Sequence, residues 1–298
     1  MCSSITGGAG SAVVLAASLV LAGALSTGPL RAADAIQIET AARAMQPGEV
    51  VLFTITPPAA ATRVSVHAFG RDIAAIRIDA RTWRALVGID LATGSGPADT
   101  TAVAETASGE VTKSYPITIL PKRFPTRRLT VDPRLVEPPV SELPRIQRET
   151  ARTNAIYASP APLALWSGPF VRPVADPANS RFGSRSIFNG TRSSPHTGAD
   201  FLSGAGTPIK APNAGRVRLA ENLYFSGNTV IVDHGLGLFS LFAHLSAFQV
   251  HEGDEVITGQ VLGLVGATGR VTGPHLHWAM RATGARIDPL SLLAVLGR

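Results

Sequence analysis

The sequence predicts a mainly β protein of two folded domains, and three observations carry that expectation. Its 298 residues suffice for about two domains, each long enough to bury its own core. Glycine and proline are plentiful, at 29 and 22 residues, while charged residues make up only 16%, a composition that favours short strands joined by many turns. Apolar residues recur in short alternating runs between turn signals, the period of two that a half-buried strand requires. The expected architecture is an N-terminal immunoglobulin-like β-sandwich over residues 36–120, a Pro-rich linker with one helix over 121–165, and a C-terminal antiparallel β-sheet domain over 166–298.

Residues 1–35 stand apart. Residues 11–25 form an apolar run too short for a comfortable membrane span but suited to the core of a signal peptide, and Ala33-Asp34-Ala35 offers an A-x-A-like cleavage site. No Lys or Arg precedes Arg31, so an uncleaved N-terminal membrane anchor is the alternative. Either route implies export. The single cysteine, Cys2, precedes the apolar run, so a cleaved chain would have neither disulfides nor thiol ligands.

The sandwich is expected from four runs: Val50 to Ile55 after Pro47-Gly48, Val64 to Phe69, Trp83 to Ile89, and Ser114 to Leu120. His67 is the one residue there with catalytic potential, and a lone histidine on a strand is more often structural. From Pro121 to Pro144 the chain holds six prolines together with Lys122, Arg123, Arg127, Arg128 and Arg134, which reads as a stiff, cationic, solvated linker. Ser141 is placed to cap a helix running to about Ala158, with Leu143, Ile146, Thr150 and Thr153 or Asn154 on one side. Its apolar stripe is thin, so the helix is expected to lie across a domain surface. Glycine-punctuated strands follow: Arg216 to Ala220, Thr229 to Asp233, Leu238 to His244, Val261 to Val265 and His275 to Met280.

The net charge of +6 suits an anionic partner, whether nucleic acid, a membrane surface or an acidic cell-wall polymer. Aromatics are only 6% and no basic run interleaves with them, so nucleic acid is the weakest of the three.

Chemistry concentrates at the C-terminal end, where six of the seven histidines fall after residue 190. On a strand, His275 and His277 share a face roughly 6.5–7 Å apart and can serve one metal site. His196 and Asp200, in His196-Thr197-Gly198-Ala199-Asp200, would lie about 13 Å apart in a straight strand, too far for ligands that each sit about 2 Å from one ion. A bend at Thr197-Gly198 is therefore expected if both bind, and glycine permits one. With one histidine of the His275-x-His277 pair they complete His, Asp, His, three ligands that leave a fourth position open on a catalytic Zn2+. Soft ligands are absent, and hard-metal sites rarely choose two imidazoles.

Four segments in order then carry a family resemblance: Arg181-Phe182-Gly183-Ser184-Arg185, His196 to Asp200, Phe242-Ala243-His244-Leu245-Ser246, and Gly266 to His277. They resemble the lysostaphin and LytM-type zinc metallopeptidases that cut peptidoglycan cross-bridges, over roughly residues 166–292. The first domain also looks like the small β-domain that precedes the peptidase in some exported members. The resemblance implies that His196, Asp200 and His277 bind zinc, while His244 and His275 flank the open position. Zinc would acidify its water and polarise the scissile carbonyl. No H-E-x-x-H glutamate exists, so a neutral imidazole must take the water proton or stabilise the oxyanion. Members of the family often have Tyr where this chain has Phe242, two residues before His244.

His234 matches a recurrent family histidine, but it precedes a glycine turn and reads as structural; His251, beside Glu252, reads as a solvated turn residue. Asn189 either lines the groove or forms the turn. The expected function is a zinc endopeptidase acting on peptidoglycan, with D-alanyl to meso-diaminopimelyl bonds as the target in a periplasmic setting. Membrane contact is expected only if the N-terminal segment stays uncleaved. The rival is a non-catalytic relative that binds the wall or activates another hydrolase.

Overall fold

The computed structural model describes residues 35–129, 137–179, 182–188 and 190–297. The segment expected to direct export and Asn189 lie outside them, apart from Ala35. No helix among the described residues is long and apolar enough to cross a membrane.

Residues 37–119 form two antiparallel four-stranded sheets. One runs in the order Gln37–Ala42, Val50–Thr56, Trp83–Gly88, Ile76–Arg77, and the other Arg71–Ala74, Ala61–Ala68, Thr100–Thr106, Gly109–Ser114. Phe53, Ile55, Val64, Val66, Val87 and Ala104 from the two sheets share one buried core, each large side chain contributing roughly 1.5–3 kcal/mol by leaving water. The single strand expected over Ser114 to Leu120 is divided. Gly109–Ser114 closes one sheet, and Ile117–Ile119 pairs separately with Gly96–Ala98. Pro116 lies at the break and has no N–H to give a ladder.

The run Val50 to Phe53 is buried throughout rather than alternating. Val51 and Phe53 enter the sandwich core, whereas Val50 belongs to the core of the C-terminal domain, so both faces of the strand are covered. Polar bonds continue the junction. Asp288 N donates to Gly48 O at 2.7 Å and Val50 N to Ser291 Oγ at 2.8 Å. Arg43 bridges Glu49 and Asp288, each at 2.7 Å. A Cβ on Gly88 would stand 2.8 Å from that of Ala285 and 3.0 Å from Ala282 O, so the N-terminal sheet and the strands Leu276–Ala282 and Ala285–Ile287 are in close contact.

The stretch expected to be linker is only partly one. Thr126–Leu129 pairs in parallel with Arg185–Phe188, which forms a hairpin with Thr191–Pro195. A short 3-10 turn, Val140–Glu142, leads into the helix Leu143–Ala158. Ser141 sits in that turn and does not cap the helix; Glu142 takes the cap position without a side-chain bond, and Pro144 is the second residue of the first turn, where a missing N–H costs nothing. The inward stripe is Ile146, Glu149, Thr153, Ile156 and Tyr157, while Leu143 and Thr150 are exposed. Polar contacts explain why the apolar pattern pointed elsewhere: Glu149 accepts from Tyr224 N at 2.8 Å, and Arg152 pairs with Glu221 and Glu252. Ile156 anchors the helix end against Leu219, Leu223, Ile231 and Phe239.

The C-terminal sheet is antiparallel, in the order Ala178–Asn179, Gly198–Phe201, Leu276–Ala282, Leu238–Phe248, Gly227–Gly235, Gly215–Leu223, Glu255–Val256. Val261–Val265 pairs with both Pro208–Lys210 and the strand Leu238–Phe248. One face buries Phe201, Val230, Phe242, Leu276 and Trp278. The C-terminal helix Pro289–Leu296, capped by Asp288, covers the sheet's edge near the sandwich through Leu292. The opposite face, with the Arg185–Pro195 hairpin and the linker helix at its sides, is an open groove of about 600 Å³.

Candidate metal centre

Sheet register assembles the centre. His277 on Leu276–Ala282 is the direct partner of Asp200 on Gly198–Phe201, and directly opposed residues share a face. His277 Nδ1 lies 3.0 Å from Asp200 Oδ1. His196 reaches the same oxygen, Nε2 to Oδ1 at 3.0 Å, because the chain leaves strand geometry at His196 and Thr197 and resumes it at Gly198. Backbone bonds pin that break: His196 N donates to Ser184 O at 2.9 Å, and Gly183 N to His196 O at 2.7 Å.

Gly198 is therefore strand, not the bend expected of it. Glycine is required there for space, since a Cβ would stand 2.5 Å from Trp278 O and 2.8 Å from His277 Cε1 and Nε2. Phe242 is fully buried against Trp278, with ring centroids 6.4 Å apart, on the face away from the groove. A phenol at that position would point into the core.

His244 and His275 complete the groove end. At His244 the strand bulges, so that Ala243 and His244 oppose Thr229 alone, and His244 takes φ +68°. Left-handed backbone is rare for such a residue, and bulges re-aim side chains beside sites. His244 Nδ1 donates to Thr268 O at 2.9 Å and His275 Nδ1 to Gly273 O at 2.9 Å. Both rings thus keep their proton on Nδ1 and offer Nε2 as an acceptor. Their centroids are 4.9 Å apart.

Thr268 is the participant that sequence reasoning missed. Its carbonyl holds His244, its Oγ1 donates to Leu245 O at 2.8 Å, and the same Oγ1 accepts from Asn228 N at 2.9 Å. Its visible signal was the Gly266-x-x-Gly269 spacing. Both glycines let this loop press on backbone, since a Cβ at Gly266 would meet Ser246 N at 2.4 Å and one at Gly269 would meet Gly227 N at 2.3 Å.

Burial works against charge on Asp200, yet the hydrogen bonds from His196 and His277 hold its carboxyl far below the usual carboxylate range. Burial pushes His244 down to about 4, against the opposing pull of the Thr268 carbonyl. Burial likewise lowers His277. An ionised Asp200 thus stands beside His244 and His277, both of which burial disfavours as cations.

His196, Asp200 and His277 each offer one ligand atom, all within 4.8 Å of one another. Two imidazole nitrogens and one carboxylate oxygen are a set that zinc accepts, and donors about 2.0–2.1 Å from a tetrahedral ion lie roughly 3.3 Å apart, close to the separations here. The remaining histidines stay outside. His234 is buried, donating from Nδ1 to Ala214 O at 2.7 Å and accepting from Ser240 Oγ at 2.9 Å. His251 is exposed on its turn, and His67 pairs with Asp72 on the sandwich surface.

An antiparallel β groove that gathers a His-Asp-His donor set able to hold a metal ion, with two further imidazoles beside it, defines the class of the site. Comparison with known proteins gives the family. The model for Peptidase family M23 matches residues 194–289. A Pseudomonas aeruginosa crystal structure described as peptidase M23 is 34% identical, with a TM-score of 0.66, covering 85% of this chain and 96% of that one. The chain belongs to peptidase family M23. Among curated relatives, the DD-carboxypeptidase/endopeptidase Mpg of Neisseria meningitidis is 43% identical over 97 residues, 33% of this chain and 22% of that protein. The peptidoglycan DD-endopeptidase ShyA of Vibrio cholerae is 38% identical over 113 residues, 38% of this chain and 26% of that protein. The chain thus spans about a quarter of the length of the curated relatives it matches.

Proposed function

We propose that this chain is a zinc-dependent endopeptidase that hydrolyses peptide cross-links or stems of bacterial peptidoglycan, with the D-alanyl to meso-diaminopimelyl bond as its target. The carrying observation is the grouping of His196, Asp200 and His277 in an open groove, with two anchored imidazoles beside them. The names of the Neisseria and Vibrio relatives support the substrate. The apolar run at 11–25 supports export to the periplasm as part of the same proposal.

His196 Nε2, Asp200 Oδ1 and His277 Nδ1 would hold the ion. When bound, zinc supplies Lewis acidity, bringing the pKa of a water molecule to about 7 and polarising a peptide carbonyl. The chain's own groups do the remaining work. His244 and His275, each held by Nδ1–H, present an Nε2 lone pair able to accept the proton of the attacking water. Once protonated, the same nitrogen becomes a donor, suited to a developing oxyanion or to the departing amine. Asp200 is the one carboxylate among the residues lining the groove, and its low pKa keeps it ionised as a ligand rather than a base.

The test is incubation of the purified chain with peptidoglycan sacculi, with and without a chelator, followed by mass spectrometry of the fragments. Chelator-sensitive loss of cross-linked dimers is expected. Unchanged dimers, with no bound zinc by elemental analysis, would sink the proposal and favour the non-catalytic relative.

A further inference from the structure

The groove carries positive charge that hydrolysis itself does not use. Its lining includes Arg270, Arg281 and Arg286, against the single carboxylate Asp200. Arg281 and Arg286 are direct register partners across the antiparallel pair Leu276–Ala282 and Ala285–Ile287, so their side chains share a face. Like charges directly opposed on a sheet destabilise it. Something must hold this pair in place.

Arg286 is held by the sandwich domain: its Nη2 and Nε donate to the Asp90 carboxylate at 2.7 and 3.1 Å. Arg281 is held by the linker helix, with its guanidinium over the Tyr157 ring, Cζ 4.4 Å from the centroid. Tyr157 is fixed in turn edge-on to Phe239, with centroids 5.2 Å apart. The Tyr157 ring and its hydroxyl, which Arg281 also hydrogen-bonds, orient the guanidinium without cancelling its charge. Among the described residues no carboxylate forms an ion pair with Arg281, whereas Arg286 has Asp90. Arg281 is thus an oriented cation in an open groove, fixed by a residue from outside the segment that matches the family model.

Position adds the second constraint. His277, Ala279 and Arg281 alternate onto the groove side of one strand. Four residues of strand place Arg281 about 13 Å from His277. A substrate lying extended along this strand covers the same distance in about four residues.

We propose that Arg281 binds a free carboxylate of the peptide substrate, about four residues of extended chain from the bond that is cut. Arg286 adds flanking charge, and Tyr157 and Asp90 act as positioning residues. The proposal rests on the endopeptidase reading and deepens it: the preferred substrate is a peptide whose distal carboxylate is free rather than amidated.

Cross-linked muropeptide dimers, and the same dimers with their carboxylates converted to amides, separate the possibilities. Both are offered to the wild-type chain, Arg281→Gln and Arg281→Lys, with zinc content and melting temperature recorded for each. Amidation is expected to lower wild-type kcat/KM by about 10- to 100-fold, mainly through KM, the loss typical of a hydrogen bond to a charged group. In Arg281→Gln the penalty for amidation is expected to shrink below about 3-fold, and Arg281→Lys, which keeps the charge but loses the fork, is expected to fall between. Tyr157→Ala should raise KM for the acid dimer without lowering zinc content, with Tyr157→Phe, which keeps the ring but not the hydroxyl bond to Arg281, restoring only part of it. A wild-type chain that cuts acid and amide dimers equally well overturns the subsite without any variant. An Arg281→Gln chain that retains the full penalty overturns it too. A wild-type chain that cuts neither dimer refutes the endopeptidase reading itself, and the subsite falls with it.

Discussion

Replacing Gly198 by alanine probes the centre where it is tightest. A Cβ there would stand 2.5 Å from Trp278 O and 2.8 Å from His277 Cε1 and Nε2, short of ordinary contact at 3.4 Å by about 0.9 and 0.6 Å. The first obstacle is backbone on the adjoining strand and cannot rotate away. The second is the ring of a ligand. Relief therefore requires the strands Gly198–Phe201 and Leu276–Ala282 to part, and the pairing that suffers is Asp200 with His277, two residues along. Overpacking of this kind costs about 1–3 kcal/mol, or roughly 3–10 °C in a chain of this size. Disturbed ligand orientation is expected to weaken zinc binding by about 10- to 100-fold, the usual effect of losing support for a ligand. Melting in excess chelator isolates the protein term, and competition with a chromophoric chelator reads the metal term. An alanine variant that melts within about 1 °C of wild type and holds zinc equally well would refute the account of the H-x-G-x-D spacing.

Other expectations are as direct. His244→Ala should keep zinc and lose turnover, by steady-state cutting of sacculi beside elemental analysis; cutting at the wild-type rate would remove His244 from the chemistry. Thr268→Ala should lower kcat by about 10-fold with zinc retained, because it frees the loop whose carbonyl orients His244. Burial of Asp90 opposes its charge, but Arg286 and two backbone N–H groups hold its pKa down to about 2. Its folded pKa is depressed, so it contributes on the order of 2 kcal/mol above the unfolded value near 3.9, lost as pH falls through about 2. Denaturant melts of Asp90→Asn against wild type between pH 5 and 2 should show that difference shrink. Burial lowers His234 to about 4, so the unfolded chain protonates first and stability drains away as pH falls from about 6.5 towards 4. His234 should titrate near 4 by NMR in the folded chain, and a value near 6.5 would contradict its burial between Ala214 and Ser240.

Much of the centre was legible because its parts are local. His196, Gly198 and Asp200 lie within five residues, and His275 lies two residues before His277, in a β-bridge to Gly266 just ahead of the strand Leu276–Ala282. What brings the two groups together is the register of Asp200 against His277, a pairing across 77 residues that no local pattern encodes. Thr268 escaped notice for a related reason: its contribution is a carbonyl, which every residue possesses. The junction with the sandwich was equally hidden. Val50 reads as an ordinary strand residue, and Arg43 gives no sign that its partner Asp288 lies 245 residues away. The linker helix was legible, and Ile146 and Thr153 of its expected stripe face inward, but Glu149 joins them through a hydrogen bond to the Tyr224 backbone that hydrophobic periodicity does not register. Gly198 shows the opposite error: glycine was read as conformational freedom where the structure uses it for room.

The central proposal divides two neighbouring histidines, with His277 as a metal ligand and His275 outside the metal set, beside His244. Zinc content of purified His275→Ala and His277→Ala, measured by elemental analysis beside wild type, tests it most directly. Equimolar zinc in wild type and His275→Ala, with little or none in His277→Ala, is the expected result. Loss of zinc from His275→Ala, or its retention by His277→Ala, would contradict the assignment.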